Sequence, residues 1–163
     1  MTAASGILHE EFHSAAFTKN GGTMEMVQLW VNLPAKDKMS PPGYQTLMDG
    51  EIPPVELADG AGRLRVIAGE YAGARGPAKT FTPINIWDVR LKAGAKTTFT
   101  LPEGHTLGVL VQSGAVKLND GEVGRAAQFA IFEREGGAIE LEAESDAKVL
   151  VLSGEPIDEP VAW

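Results

Sequence analysis

The sequence contains no cysteine and has few positive charges. Without cysteine, disulfide bonds, cysteine-bound zinc or iron–sulfur sites and thiol nucleophiles are excluded, so any metal must be held by histidine and carboxylate side chains. The 14 Lys and Arg residues are outnumbered by 22 Asp and Glu residues, which gives a formal net charge of −8. Because these cations are also scattered singly along the chain, nucleic acid and anionic membrane surfaces are disfavoured as partners.

Long hydrophobic runs are absent as well. The longest apolar stretches, such as residues 149–152, are far too short to cross a bilayer, and residues 1–6 lack the basic and apolar regions of a signal peptide. We therefore expect a cytoplasmic protein. Hydrophobic residues still make up 44% of the chain and charged residues 22%, which is typical of a folded globular domain.

Glycine and proline mark frequent turns between short apolar runs. Dipeptides such as Asp59-Gly60 and Ser113-Gly114 recur at intervals of roughly ten residues, a pattern typical of an all-β sandwich or barrel. No window keeps the apolar spacing of a long amphipathic helix, although residues 44–48 allow one short helical turn. The predicted strands are residues 24–33, 63–69, 84–91, 105–112, 115–118, 128–132, 138–142 and 148–152.

The apolar pattern breaks twice between residues 49 and 62, which indicates a domain boundary there. Residues 52–163 are numerous enough for a complete small barrel or sandwich, whereas residues 1–51 hold only two or three strands. Exposed strand edges invite pairing with other strands. We therefore expect the N-terminal strands, above all residues 24–33, to pair with another copy and form a homo-oligomer.

Several motifs resemble the pirin family over nearly the whole chain. They begin with Gly6-Ile7-Leu8-His9-Glu10-Glu11 and continue through residues 26–34 and 38–45. Further matches follow in the same order at residues 66–70, 82–84, 101–105 and 153–157. Pirins are bicupins, so the resemblance implies an all-β fold. We expect a C-terminal cupin β-barrel (an RmlC-like jelly roll) at 52–163, preceded at 1–51 by a few strands of an incomplete second cupin.

The resemblance also implies a metal site. Pirins hold a mononuclear metal, usually iron, with three His residues and one Glu, and the motif for the last two corresponds here to His9 and Glu11. These two lie two residues apart, so on a strand they point to one face. The other two ligands come from an upstream His-x-His motif, which this sequence lacks, and its C-terminal end also falls early. It thus resembles a pirin shortened at both ends.

Two ligands are too few for a tight site. Either His9 and Glu11 are polar remnants of a lost pocket, or their metal site is completed by another chain or in a full-length parent. His13 shares their face by parity but lies where a turn begins and matches no pirin ligand. His105 occupies a position where metal-binding cupins place a ligand, but because no second His follows, we interpret it as a packed or surface residue.

The acidic cluster and the aromatic residues of the sequence are assigned structural roles. Glutamates between residues 133 and 144 are interpreted as a solvated surface. Seven aromatic residues are expected in the core: Trp30, Trp87, Trp163, Phe81, Phe99, Phe129 and Phe132.

Two functional classes remain open. The first is an iron-dependent enzyme, because some pirins resemble quercetin 2,3-dioxygenases. The second is a non-catalytic binding or regulatory module, because pirins are also partners of other proteins. For this chain alone we favour the second, since two ligands are missing and no residue offers a replacement general base.

Overall fold

The computed structural model describes residues 1–160, and all twelve β-strands of this part of the chain follow Tyr44. The chain divides into two compact units, Met1–Tyr44 and Gln45–Trp163. The strands are β1 (Pro54–Glu56), β2 (Gly62–Ala68), β3 (Glu70–Tyr71), β4 (Ala74–Arg75), β5 (Ile84–Leu91), β6 (Lys96–Thr100), β7 (Thr106–Ser113), β8 (Ala115–Leu118), β9 (Val123–Arg125), β10 (Phe129–Phe132), β11 (Ala138–Ala143) and β12 (Ala147–Gly154). Short 3-10 helices span Asp49–Glu51 and Ala58–Gly60.

The strands of the larger unit form two antiparallel sheets and one short hairpin. The larger sheet has the order β1-β2-β5-β12-β7-β10 and the smaller one β6-β11-β8-β9, while β3 pairs with β4. In the centre of the larger sheet, β5 pairs with β12 over eight residues, from Ala147 opposite Leu91 to Gly154 opposite Ile84. This two-sheet jelly-roll arrangement is the cupin fold expected from the sequence.

Both sheets contribute apolar side chains to one hydrophobic core. Leu64, Val89 and Val151 of the larger sheet are fully buried, and so are Phe99 and Leu141 of the smaller sheet. Along β11 buried residues alternate with half-exposed ones, so Ile139 and Leu141 point inward and Glu140 outward. Because apolar and charged residues alternate along β11, one face of this strand covers the core and the other faces outward.

The aromatic residues divide between core and surface. Tyr71, Trp87 and Phe99 form a cluster with ring centroids 5.3 to 5.7 Å apart, and Phe132 packs against the core. The core prediction is therefore confirmed for Trp87, Phe99 and Phe132. It is wrong for Trp30, Phe81 and Phe129, which are 93%, 43% and 52% exposed, and Trp163 lies outside the described residues.

The smaller unit contains no strand within residues 1–44, all of which the structure describes. Helix α1 (Ala15–Asn20) begins after Ser14, whose Oγ accepts a hydrogen bond from the Phe17 N–H, and a 3-10 helix spans Ala35–Asp37. The strand predicted at residues 24–33 is wrong, because this apolar segment pairs with no neighbouring strand. Apolar pattern alone does not make a strand where no partner satisfies the backbone.

The helical turn predicted at residues 44–48 is also absent. Within residues 1–160, no helix is both long and apolar enough to cross a membrane. The domain division predicted after residue 51 stays a prediction.

Candidate metal centre

The structure brings His9 and Glu11 together in the smaller unit. Both lie in an irregular segment before α1, and Nε2 of His9 is 3.7 Å from Oε1 of Glu11. Their side chains are 38% and 64% exposed. The segment is not a strand. Because His9 and Glu11 are only two residues apart, their side chains still lie close to each other, and both are accessible to solvent.

The spacing of the two donor atoms suits a shared metal ion. Imidazole and carboxylate ligands lie about 2.0–2.2 Å from a metal, so two neighbouring ligand atoms of one ion are about 3.0–3.6 Å apart. A small rotation of either exposed side chain covers the difference from the observed 3.7 Å. The chemistry of this pair fits iron, manganese, zinc or copper.

The pair does not make a complete centre by itself. Within residues 1–160, no group of three or more His, Asp and Glu side chains is arranged to hold a metal ion. A centre built from His9 and Glu11 therefore needs further ligands beyond those that this part of the chain brings together.

His13 makes a different contact. Its ring lies 5.4 Å from that of Phe17, with the ring planes inclined at 37°, at the beginning of α1. Neighbouring Ser14 caps this helix. The ring contact of His13 is therefore with an aromatic side chain of α1.

His105 lies directly before β7 and is half-buried. Its Nδ1 is 3.3 Å from Oγ of Ser153, within hydrogen-bond distance, and both residues line a cavity of about 280 Å³. Ser153 was not identified from the sequence. The available signal was its position in the apolar run of β12, where alternation directs it inward, opposite Leu107.

Comparison with known proteins identifies the class of this fold and then its family. The profile described as "Pirin C-terminal cupin domain" matches residues 86–163. The crystal structure of "Quercetin 2,3-dioxygenase from Acinetobacter baumannii" superposes with a TM-score of 0.94 at 50% identity, covering 99% of this chain and 56% of that one. The chain is a cupin, and it belongs to the pirin family.

Two curated relatives show the range of names in the family. A Pseudomonas aeruginosa protein named "Putative quercetin 2,3-dioxygenase PA2418" is 58% identical over 161 residues, which cover 99% of this chain and 56% of that protein. Human "Pirin" is 33% identical over 165 residues, covering 99% of this chain and 54% of its own length. The chain thus spans about half the length of the curated relatives it matches.

Proposed function

We propose that this chain is a pirin-type cupin module carrying half of a mononuclear metal centre. By itself it is a non-catalytic binding module, and it takes part in dioxygenase chemistry of the quercetin 2,3-dioxygenase type when further ligands, from another chain or in a full-length parent of this chain, complete the centre. The observation that carries the proposal is the 3.7 Å separation between His9 Nε2 and Glu11 Oε1. The names of the Pseudomonas and Acinetobacter proteins support the reaction class, and the resemblance to pirins implies iron as the metal.

The exposure of the pair supports completion from outside. The side chains of His9 and Glu11 are 38% and 64% exposed, so they can reorient at little energetic cost and leave room for incoming ligands. When bound, the metal would act as a Lewis acid on a chelating flavonol and offer an open position for dioxygen. The chain's own part is to present one imidazole nitrogen and one carboxylate oxygen from the same side of the segment. We also propose a cytoplasmic location for the chain, as predicted from the sequence.

The test is metal binding by the purified chain, measured by isothermal titration with Fe(II) under argon. We expect weak binding, because two protein ligands hold a metal less tightly than three or four. His9→Ala and Glu11→Ala are expected to abolish it. His13→Ala is the matched control and is expected to leave binding unchanged, since His13 contacts Phe17 instead.

Equal binding by all three variants would contradict the proposed ligands. Oxygen uptake with quercetin then tests the reaction. We expect none with the iron-loaded chain alone, and turnover by this chain alone would refute the assignment as a half-centre.

Self-association is the second candidate function, and a set of exposed apolar side chains in the smaller unit favours it. Leu8, Phe12 and Trp30 are 101%, 83% and 93% exposed. Large apolar side chains in such exposure are typical of interaction surfaces. We propose a second copy of this chain as the partner, associating through apolar contact rather than through the strand pairing first expected.

Size-exclusion chromatography with light scattering tests this second candidate. We expect a dimer or larger species whose population falls in Trp30→Ser. Phe81→Ser, which changes an exposed aromatic residue of the larger unit, is the control. A monomer at every concentration would refute self-association.

A further inference from the structure

A row of positive charges crosses the outer face of the larger sheet. Arg63 of β2 lies directly opposite Arg90 of β5, and Arg90 lies directly opposite Lys148 of β12. Cross-strand partners point to the same face, with Cβ atoms about 4.5–5.5 Å apart. The next residues along these strands, such as Leu64 and Val89, are fully buried, so the cations face outward.

Such a row is unfavourable without a counter-charge. Like charges directly opposite one another destabilise a sheet. Within residues 1–160, neither Arg63 nor Arg90 forms an ion pair. The adjacent row on the same face is built differently, because Arg65 lies opposite Asp88 and its Nη2 is 2.6 Å from Oδ2 of that residue. The row of Arg63, Arg90 and Lys148 is different: Glu56 of β1 lies opposite Arg63, so one carboxylate faces three cations and the row keeps a positive excess.

The cationic row lines a surface groove of about 470 Å³, to which Lys92 adds a fourth positive charge. Glu56 and Asp146 are the carboxylates that line the groove. Four cations against two carboxylates leave a net charge of 4 − 2 = +2 in the groove, in a chain whose formal net charge is −8. One oxygen of Asp146 is also engaged, because it accepts a hydrogen bond from the Ala93 N–H.

We propose that this groove binds a small anion with two or more linked phosphate groups. Guanidinium groups present a planar fork of donors that matches phosphate oxygens in pairs. Neighbouring strands are about 4.8 Å apart, so adjacent cations meet adjacent charged groups of one ligand rather than a single ion. A long nucleic acid is a poorer fit, because the acidic remainder of the chain would repel a polyanion that extends beyond the groove. The proposal is independent of the metal centre.

The experiment is isothermal titration of the chain with sodium pyrophosphate at constant ionic strength. We expect saturable binding to one site, with a melting temperature that rises as pyrophosphate is added, because a ligand that binds only the folded state stabilises it. Orthophosphate is expected to bind more weakly, since it contacts fewer cations of the row.

Three variants localise the site. Arg63→Gln and Arg90→Gln are expected to weaken binding at least about tenfold, the effect of losing one charge-assisted hydrogen bond. Lys92→Gln changes an exposed side chain just after β5, and the hydrogen bonds of Lys92 to Ala61 and Ala95 are made by its backbone, so this variant reports on the groove even if a strand variant folds poorly. Arg125→Gln is the matched control, because Arg125 is an exposed cation on β9 of the smaller sheet.

The variants also separate a ligand site from simple charge screening. We expect Arg90→Gln without pyrophosphate to be at least as stable as the unmodified chain, because it relieves repulsion within the row. Equal losses in Arg125→Gln and Arg90→Gln would overturn the proposal, as would the absence of saturable binding. Tighter binding of a single-stranded oligonucleotide through the same residues would replace it with a nucleic-acid role.

Discussion

The ion pair between Arg65 and Asp88 allows a quantitative test of how charge is arranged on the larger sheet. Oδ2 of Asp88 accepts hydrogen bonds from Arg65 Nε at 3.0 Å and Nη2 at 2.6 Å, and the two side chains are only 12% and 23% exposed. Asp49 also contacts Arg65, but its side chain is 92% exposed. Burial lowers the pKa of Arg65, but the hydrogen bonds and charges of Asp88 and Asp49 outweigh this and raise the pKa overall.

Replacing Asp88 by Ala leaves a mostly buried guanidinium with one exposed partner. Breaking a buried ion pair costs about 3–5 kcal/mol. Since Arg65 keeps Asp49 and some access to water, we expect a loss of about 2–3 kcal/mol for Asp88→Ala. Asp49→Ala is the matched control, and its expected cost is about 0.5 kcal/mol because its carboxylate is exposed. The double variant Asp88→Ala/Arg65→Met should recover stability, since it removes the uncompensated charge.

The assay is urea unfolding followed by tryptophan fluorescence and far-ultraviolet circular dichroism. Coincident transitions with unchanged m-values would license the comparison of unfolding free energies. At about 3–5 °C per kcal/mol for a unit of this size, Asp88→Ala is expected to lower the melting temperature by about 6–15 °C. Equal costs for Asp88→Ala and Asp49→Ala would refute the argument that burial decides the strength of this pair.

Three further predictions test the core, a turn and one titrating group. Leu141→Ala should lower the unfolding free energy by about 2–5 kcal/mol because Leu141 is fully buried, whereas Ile131→Ala, 74% exposed, should change it by less than about 0.5 kcal/mol in the same urea assay. Gly114→Ala should cost more than Gly94→Ala: both have positive φ, but an added Cβ meets the opposing backbone only at Gly114, and melting temperatures would show it. Burial raises the pKa of Tyr71 above its ordinary value of 10.0, so its contribution to stability is complete below about pH 10 and is lost as pH rises through the raised pKa. Tyr71→Phe should remove that alkaline loss of stability, and an unchanged pH profile would contradict the assignment.

Strand prediction succeeded where local pattern and tertiary environment agreed. The strands at 84–91 and 115–118 have the predicted bounds, because each is a short run of mainly apolar or β-branched residues beside a turn. Strand β6 was missed because its sequence, Lys-Thr-Thr-Phe-Thr, has only Phe99 as a large apolar residue. Residues 24–33 carried a stronger apolar signal, yet they form no strand because no neighbouring strand pairs with them.

The candidate functional residues show the same division between what local sequence indicates and what the tertiary structure adds. The resemblance of the motif around His9 and Glu11 was enough to select these two side chains, and the structure brings their donor atoms to 3.7 Å. The proximity of Ser153 to His105 was not predictable, because it joins two residues far apart in sequence. Such pairs arise only when register places β12 beside β7.

The sequence by itself determined most strands of the larger unit, because local periodicity carries that information. The resemblance of its contiguous motifs to the pirin family implied the cupin class and selected the pair His9 and Glu11. Only the tertiary structure decided the charge pattern of the larger sheet. Arg63, Arg90 and Lys148 are isolated cations in the sequence, and the registers of β2, β5 and β12 align them in one row. The physical reason is that hydrogen-bond register, set by burial of the inner face, also determines which outward side chains become neighbours.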